Sequence, residues 1–322
     1  MEALNLTERE LRERVLSAEL SENTRTAYQK GWSRLQDYCA SECIKNPLAM
    51  SPDEIAGFLA HLATRPSPRS GRMLSMSTVA LYMSAVSRKF VDAGEPSPAT
   101  HPVVRATLRG LARFRDSSHR RVEALREFHI EAMLQATPDT LIGRRDAAII
   151  ALGFAGALRR SEICNLNLED VRFVESWDIP EDRLILTVRR SKTDQQGRGA
   201  RVPILDGEGI RPIHRLKAWL AGSGITAGPL FQTMKRGGRL QGKPMDPGDI
   251  ARIVKTYAGQ VGLNPKDIAG HSLRAGFVTS AAVHHARLDK IMAVTRHTNP
   301  STVLGYIRDA DIFSDHAGRH FL

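Results

Sequence analysis

The segment AGHSLRAGF, residues 269–277, places a histidine and an arginine three positions apart, directly after a glycine. The pattern predicts that His271 and Arg274 lie in the first turn of a helix, where backbone N–H groups and the helix dipole favour an anion. The arginine adds a forked donor that matches the oxygens of a phosphate. The segment therefore predicts a phosphate-binding position, with a polar helix start exposed to water as the alternative.

Five further polar residues have types that could assist chemistry at a phosphate. Arg159 and Glu162 in ALRRSEI are spaced to share a helix face, and Lys192 lies in the turn-like segment RRSKTDQQGRG. His297 occurs in TRHTNP and Tyr306 in VLGYIR. Each has an ordinary structural explanation when viewed singly. The first two residues could form an exposed ion pair, the lysine could lie in a solvated turn, the histidine could cap a helix, and the tyrosine could pack in the core. Only together, and in this order, do they indicate one site.

The elements that must position these residues predict an α+β fold, mainly α with a small β-sheet. Four helical patterns fill the first third of the chain. One of them starts at Ser51 with Pro52 and Glu54 behind it, and another ends at Gly94. The later part mixes helices with strands. Helices are predicted at 144–158, 159–171, 249–261, 272–285 and 288–295, strands at 183–190 and 200–205, and a small hairpin at 229–240.

These patterns divide the chain into five parts. A charged tail precedes an all-α domain, an arginine-rich linker follows it, and a mixed α+β domain and a short arm complete the chain. The parts are the tail at 1–20, the helical domain at 21–115, the linker at 116–126, the mixed domain at 127–308 and the arm at 309–322.

Composition limits the partners and the compartment. The 322 residues carry a formal charge of +11 and a sequence pI of about 9.9, which suits a polyanion. No apolar run is long enough to span a bilayer, so no membrane partner is expected. Cys39, Cys43 and Cys164 are too few for a disulfide framework, which favours a reducing cytosol. Core packing of Cys39 and Cys43 is favoured over a metal site.

In chain order, the polar residues resemble the conserved set of the tyrosine recombinases, the phage integrase family, and among them the Cre-type recombinases. The set consists of Arg159, Lys192, His271, Arg274, His297 and Tyr306. Residues 23–115 resemble the N-terminal all-α core-binding domain of that family, and residues 120–308 resemble its C-terminal catalytic domain. One departure is that Cre itself has Trp at the position of His297, whereas many other members have His.

The resemblance implies a site-specific DNA recombinase that cleaves and rejoins strands through a 3′-phosphotyrosyl intermediate, without a metal or other cofactor. It implies that Tyr306 is the nucleophile, that Arg159 and Arg274 clamp the phosphate, and that Lys192 protonates the leaving oxygen. His297 would donate to a phosphate oxygen. His271 would take the tyrosine proton or bind the phosphate. Glu162 would orient His271 or Arg159 from behind.

The resemblance also implies partners and a location. The partner would be double-stranded DNA with a specific target site, bound in the cytoplasm at the nucleoid by four protomers on two sites. Neighbouring protomers would exchange the arm at 309–322, with Phe313 and Phe321 as candidate anchors and a disordered tail as the alternative. Two other functions stay open at this point. One is relaxation of DNA like a type IB topoisomerase, and the other is DNA binding without catalysis on a recombinase fold.

Overall fold

The computed structural model describes residues 20–310 except 21, 68–70, 116–123, 175–181, 190–198, 236 and 270. The chain divides into two compact units, Met1–His119 and Arg120–Leu322. Several predictions fall outside the described residues. They concern the tail up to residue 19, most of the linker, Lys192, and the arm beyond residue 310 with Phe313 and Phe321.

The first unit is built of helices around an apolar core. Ser51 caps its helix as predicted: Glu54 N donates to Ser51 Oγ at 3.3 Å, and Ser51 N donates to Glu54 Oε2 at 2.7 Å. Gly94 follows the third helix with a φ of 83°, the left-handed conformation that the sequence predicts there. The helices are α1 (Glu22–Ser41), α2 (Pro52–Thr64), α3 (Met76–Asp92) and α4 (Pro102–Phe114). Phe58 and Leu35 lie fully buried between them, and Cys39 packs into the same core as expected, whereas Cys43 is exposed.

The second unit combines helices with two small antiparallel sheets. The strands β1 (Val171–Val174), β2 (Arg183–Val188) and β3 (Ala200–Leu205) form one sheet in that order, and β4 (Gln232–Met234) pairs with β5 (Leu240–Pro244). The helices are α5 (Glu127–Gln135), α6 (Leu141–Ala155), α7 (Arg160–Cys164), α8 (Pro212–Ser223), α9 (Pro247–Gln260), α10 (Ser272–Val283), α11 (Leu288–Thr295) and α12 (Pro300–Ala310). The predicted fold class, mainly α with small β-sheets, is confirmed.

The prediction of one continuous helix over 159–171 is wrong. Helix α7 ends at Cys164, and the chain then runs through a short 3₁₀ turn into β1, a strand that was not predicted. The reason is long-range pairing. Leu168 N donates to Gly228 O, and Leu230 N donates to Leu166 O, both at 2.8 Å. These bonds to a segment about sixty residues away draw the backbone out of the helix before its β-branched residues join β2.

Two close approaches fix the elements that carry the polar residues. A Cβ added at Gly276 on α10 would lie 1.9 Å from Leu125 O. Only glycine therefore lets this helix pack directly against the backbone at Leu125. A Cβ at Gly153 on α6 would lie 2.8 Å from a Leu273 methyl and 3.0 Å from an Ile163 methyl. Helices α6, α7 and α10 therefore pack against one another at short range. Across the part of the chain that is described, no helix combines the length and apolar character needed to cross a bilayer.

Candidate active site

Arg159 and Glu162 form a tight pair at the start of α7. Arg159 Nη1 donates to Glu162 Oε1 at 2.6 Å, and the Arg159 backbone N donates to Oε2 at 2.9 Å. Glu162 is 2% exposed. Burial acts to raise its pKa, but the charge of Arg296 and the bonds from Arg159 outweigh burial, and the pKa is lowered. Glu162 is therefore an ionised carboxylate that holds Arg159 in place. Arg159 is one of the two partners, with His271, that are expected for Glu162 from the sequence.

Arg274 lies inside the first turn of α10 and is 4% exposed. Its Nη1 donates to Ala157 O at 2.8 Å, while its Nη2 is buried without a hydrogen-bond partner among the described residues. Burial, together with the charges of Arg159 and Arg296, lowers the pKa of Arg274 to about 10. The guanidinium is thus still protonated near neutral pH. A buried donor without an acceptor is costly, and it is accounted for if a ligand supplies the acceptor.

A third arginine, Arg296, joins this group and was missed by sequence reasoning. Its Nη2 lies 2.7 Å from Glu162 Oε2, although 134 residues separate the two. Burial lowers its pKa, against the opposing effect of Glu162. The one sequence signal was its place directly before His297, at the end of a predicted helix. That position alone favours a C-terminal capping role rather than a place in a polar cluster.

His297 has a defined tautomer. Thr295 Oγ1 lies 2.7 Å from Ile291 O, so the Thr295 hydroxyl hydrogen must lie between these two oxygens. The hydroxyl oxygen can then only accept from His297 Nδ1, which lies 2.9 Å away. The neutral ring therefore carries its hydrogen on Nδ1 and leaves Nε2 as an acceptor. Burial, then Arg274 and the neighbouring cations including His271, lower the pKa of His297 to about 4.

His271 and Tyr306 complete the group. His271 is the exposed N-cap residue of α10, near enough for its charge to lower the pKa of His297. Tyr306 lies partly buried on α12 and packs against Val278, Ile291 and Val303. It lies close enough to Arg274 for the charge of its ionised oxygen to raise the pKa of that guanidinium. Every predicted site residue that the structure describes thus belongs to one electrostatic cluster, and Lys192 lies outside the described residues.

Thermal unfolding at mildly acidic pH tests the placement of His297. Its pKa is about 4 in the folded chain against an ordinary 6.5, so between these values the unfolded chain binds a proton that the folded chain lacks. The contribution of the neutral ring to the free energy of unfolding is fully present above about pH 6.5 and is lost as pH falls toward 4. We expect the wild-type Tm to fall more steeply from about pH 7 to about pH 5 than that of His297→Gln, by a few degrees.

Calorimetry at matched ionic strength provides this comparison, with the exposed His214→Gln as the control that should keep the wild-type slope. Equal pH slopes for the wild type and His297→Gln would contradict the buried placement.

Two family models match the chain. The model described as the phage integrase family matches residues 123–311, which covers the whole polar cluster. The model described as the phage integrase N-terminal SAM-like domain matches residues 13–93. The integrase-family match spans more than half of the chain and lies entirely within the second unit.

Individual relatives agree with these models. The integrase/recombinase xerD homolog of Selenomonas ruminantium is 32% identical over 310 residues, covering 94% of this chain and 86% of that protein. A tyrosine recombinase XerC of Myxococcus xanthus is 28% identical over 269 residues, covering 78% of this chain and 75% of that protein. These relatives have Xer-type names, so the finer likeness to Cre-type recombinases stays a prediction.

Solved structures show the same fold. A lambda integrase dimer bound to a COC′ core site has a TM-score of 0.61 at 17% identity, covering 93% of this chain and 75% of that chain. The XerH site-specific recombinase bound to a palindromic difH substrate has a TM-score of 0.62 at 14% identity, covering 89% and 76%. Together with the family match and the 32% identical relative, this shows that the chain belongs to the phage integrase family and is a site-specific tyrosine recombinase.

Proposed function

We propose that Arg159, Arg274, His297 and Tyr306 surround one scissile phosphate of a double-stranded DNA target, and that the enzyme exchanges strands between two such targets through a 3′-phosphotyrosyl link. The observation that carries this proposal is Arg274 Nη2, a buried charged donor without a partner among the described residues. A phosphate oxygen is the acceptor it fits best, because a guanidinium and a phosphate match in charge and geometry.

The cations of the site suit the charge that develops in the reaction. Attack on phosphorus increases the negative charge on the non-bridging oxygens. Preorganised hydrogen-bond donors therefore stabilise the transition state more than they stabilise the bound substrate. Guanidinium groups act as fixed positive charges, so the two arginines need no proton transfer to act. Their attachment to Glu162 and Ala157 O holds them in place before the substrate arrives.

Tyr306 is the nucleophile in this proposal. Its oxygen forms a bond to phosphorus while the bond from phosphorus to the 5′ oxygen breaks, and the phosphotyrosyl link keeps the strand ready for rejoining. The proton of Tyr306 passes to His271 or to the bare Nε2 of His297. Once protonated, His297 donates to a phosphate oxygen, and the negative charge of that phosphate favours the protonated ring.

Lys192 is proposed as the acid that protonates the leaving 5′ oxygen. We expect Lys192→Ala to cleave ordinary DNA about 10²- to 10⁴-fold more slowly than the wild type. Replacing the leaving 5′ oxygen by sulfur should restore most of the rate, because a thiolate leaves without a proton. Single-turnover cleavage of both substrates provides the measurement, with the exposed Lys217→Ala as control. A Lys192→Ala defect that sulfur does not relieve would place the acid elsewhere.

A groove on the first unit supports duplex DNA as the partner. Helices α1 and α3 line it with Arg25, Gln29, Trp32, Arg88 and Lys89. Its cationic and amide side chains suit phosphate contacts and base edges, with two aromatic rings and one carboxylate, that of Asp92, beside them. The solved lambda integrase and XerH structures are described as bound to their DNA sites, which supports the same partner here.

The target sequence is open to direct selection. The Tyr306→Phe protein, which should bind without reacting, is incubated with random-sequence duplexes, and the bound molecules are amplified. We expect enrichment of two inverted half-sites separated by a short spacer, because two protomers would face each other across one site. The enriched sequence is called the selected duplex below. Failure to enrich any sequence would contradict site-specific binding.

The wild type should recombine a plasmid that carries two copies of the selected duplex. Relaxation of a one-site plasmid without exchange between two sites would favour the topoisomerase-like alternative.

Four protomers on two sites are proposed for the exchange, acting on cytoplasmic, nucleoid DNA. An apolar pocket in the second unit, lined by Phe154, Phe277, Val294 and Ile210, supports a docked neighbour. The arm at 309–322 is the proposed occupant. We expect light scattering to find a tetramer with two selected duplexes for the full chain and smaller assemblies for a chain ending at residue 310. A tetramer formed equally well by the shortened chain would remove the arm from this role.

A further inference from the structure

Arg296 occupies a backbone conformation that glycine adopts more easily. Its φ of 57° and ψ of 38° are left-handed, at the residue that directly follows α11, and its N–H donates to Met292 O at 2.7 Å. Glycine prevails at this position of a helix end because it has no Cβ. An arginine here costs backbone energy that the helix end itself does not offset. The side chain is therefore the feature to explain.

The side chain of Arg296 turns inward and is 9% exposed. Its Nη1 donates to Val294 O at 2.9 Å and to Gly156 O at 3.2 Å. Its Nη2 donates to Glu162 Oε2 at 2.7 Å and lies 3.4 Å from Ala157 O, the carbonyl that also accepts from Arg274. Both Nη atoms thus bind protein groups behind the site, through which the side chain can act on DNA, while Nε is buried without a hydrogen-bond partner among the described residues.

Glu162 is divided between two cations. Its Oε1 accepts from the Arg159 side chain, and its Oε2 accepts from Arg296 and from the Arg159 backbone. Three guanidiniums, those of Arg159, Arg274 and Arg296, and one carboxylate leave two positive charges in excess. Without Arg296 the excess falls to one, and Glu162 is left to neutralise Arg159. A phosphodiester has one negative charge, and the transition state for its cleavage carries additional negative charge. Two excess positive charges therefore suit the transition state better than one.

We propose that Arg296 is a positioning residue for strand cleavage. It anchors the segment that carries His297 to Glu162, and it shares that carboxylate so that Arg159 keeps its charge for the scissile phosphate. The inference rests on the proposed function and deepens it.

Arg296→Gly tests the proposal, because glycine keeps the backbone conformation and removes only the side chain. The matched control is His285→Gly. His285 is an exposed residue with a φ of 55° at the end of α10, so it gains the same backbone relief away from the site. We expect Arg296→Gly to bind the selected duplex within about threefold of the wild type. Its covalent complex on a nicked selected duplex should form about 10- to 100-fold more slowly, with His285→Gly unchanged.

Two readouts separate positioning from a loss of structure. Removing the charge of Arg296 removes one of the influences that lower the pKa of His297, so the pH dependence of cleavage should move toward higher pH. A double-mutant cycle with Glu162→Gln should be strongly non-additive, the double variant being about as slow as the slower single variant. Arg296→Lys should recover part of the rate, because an ammonium keeps the ion pair with Glu162.

The outcomes are distinguishable. A wild type that forms no covalent complex overturns the proposed function itself. A wild type that reacts while Arg296→Gly reacts at the same rate with the same pH profile overturns only this inference, as do additive losses in the cycle. Should Arg296→Gly fail to fold by circular dichroism, Arg296→Met decides, because it fills the same space without a charge. Its covalent complex should form as slowly as predicted for Arg296→Gly, and a wild-type rate for Arg296→Met overturns the proposal.

Discussion

Tyr306→Phe is expected to bind the selected duplex as tightly as the wild type and to form no covalent complex with it. The phenyl ring keeps the packing against Val278, Ile291 and Val303, so the fold and the DNA contacts stay intact. The missing oxygen removes the nucleophile, and cleavage should fall at least about 10³-fold, below detection on a denaturing gel. Gel-shift titration and denaturing electrophoresis of the same samples separate binding from chemistry.

A second Tyr→Phe substitution, away from the site, controls for the loss of a tyrosine hydroxyl in general. Tyr257 lies in the same unit, but its hydroxyl donates to Asp146 in the core, and burial raises its pKa to about 12. Tyr257→Phe should therefore still form the covalent complex. An adduct that persists in Tyr306→Phe would assign the nucleophile to another residue.

Arg274→Ala is expected to slow single-turnover cleavage by about 10²- to 10³-fold, the cost typical of losing one donor aimed at a developing negative charge. Duplex affinity should change much less, because binding is spread over many phosphate contacts. The fold should survive, since the substitution removes a buried charge whose Nη2 has no protein partner among the described residues. Rapid-quench cleavage on a nicked selected duplex gives the rate.

Two companion variants sharpen this result. Arg274→Lys should remain slow, because a point charge cannot replace the guanidinium fork. Arg252→Ala removes an exposed arginine that pairs with Asp249 on α9, and it should cleave at nearly the wild-type rate. Cleavage by Arg274→Ala within tenfold of the wild type would remove this residue from the phosphate site.

Local signals predicted much of the helical framework. The Ser51 cap and the glycines that end helices act within a few residues, so the sequence reveals them directly. Gly224 likewise ends α8 in a left-handed conformation. The polar cluster was predicted from residue types in a familiar order, and the structure brings Arg159, Arg274 and His297 within electrostatic reach of one another.

The features that sequence reasoning missed depend on distant partners. Strand β1 replaces the end of a predicted helix because residues near 228–230 and β2 pair with that stretch. Arg296 joins the site because Glu162, far away along the chain, offers its second carboxylate oxygen. Neither partner lies within the window that periodicity or capping rules examine. Local patterns thus define helix starts and ends, while long-range contacts decide which polar groups meet.

The most direct test of the site is the chemical identity of the DNA–protein link. A selected duplex with a nick near the cleavage point loses its short fragment after attack and traps the covalent complex. Trypsin and mass spectrometry then locate the attached nucleotide. We predict a 3′-phosphate ester on Tyr306, within the tryptic peptide that spans residues 297–308. A nucleotide attached to any other side chain, or attached through a 5′-phosphate, would contradict a cleavage site built around Arg159, Arg274 and Tyr306.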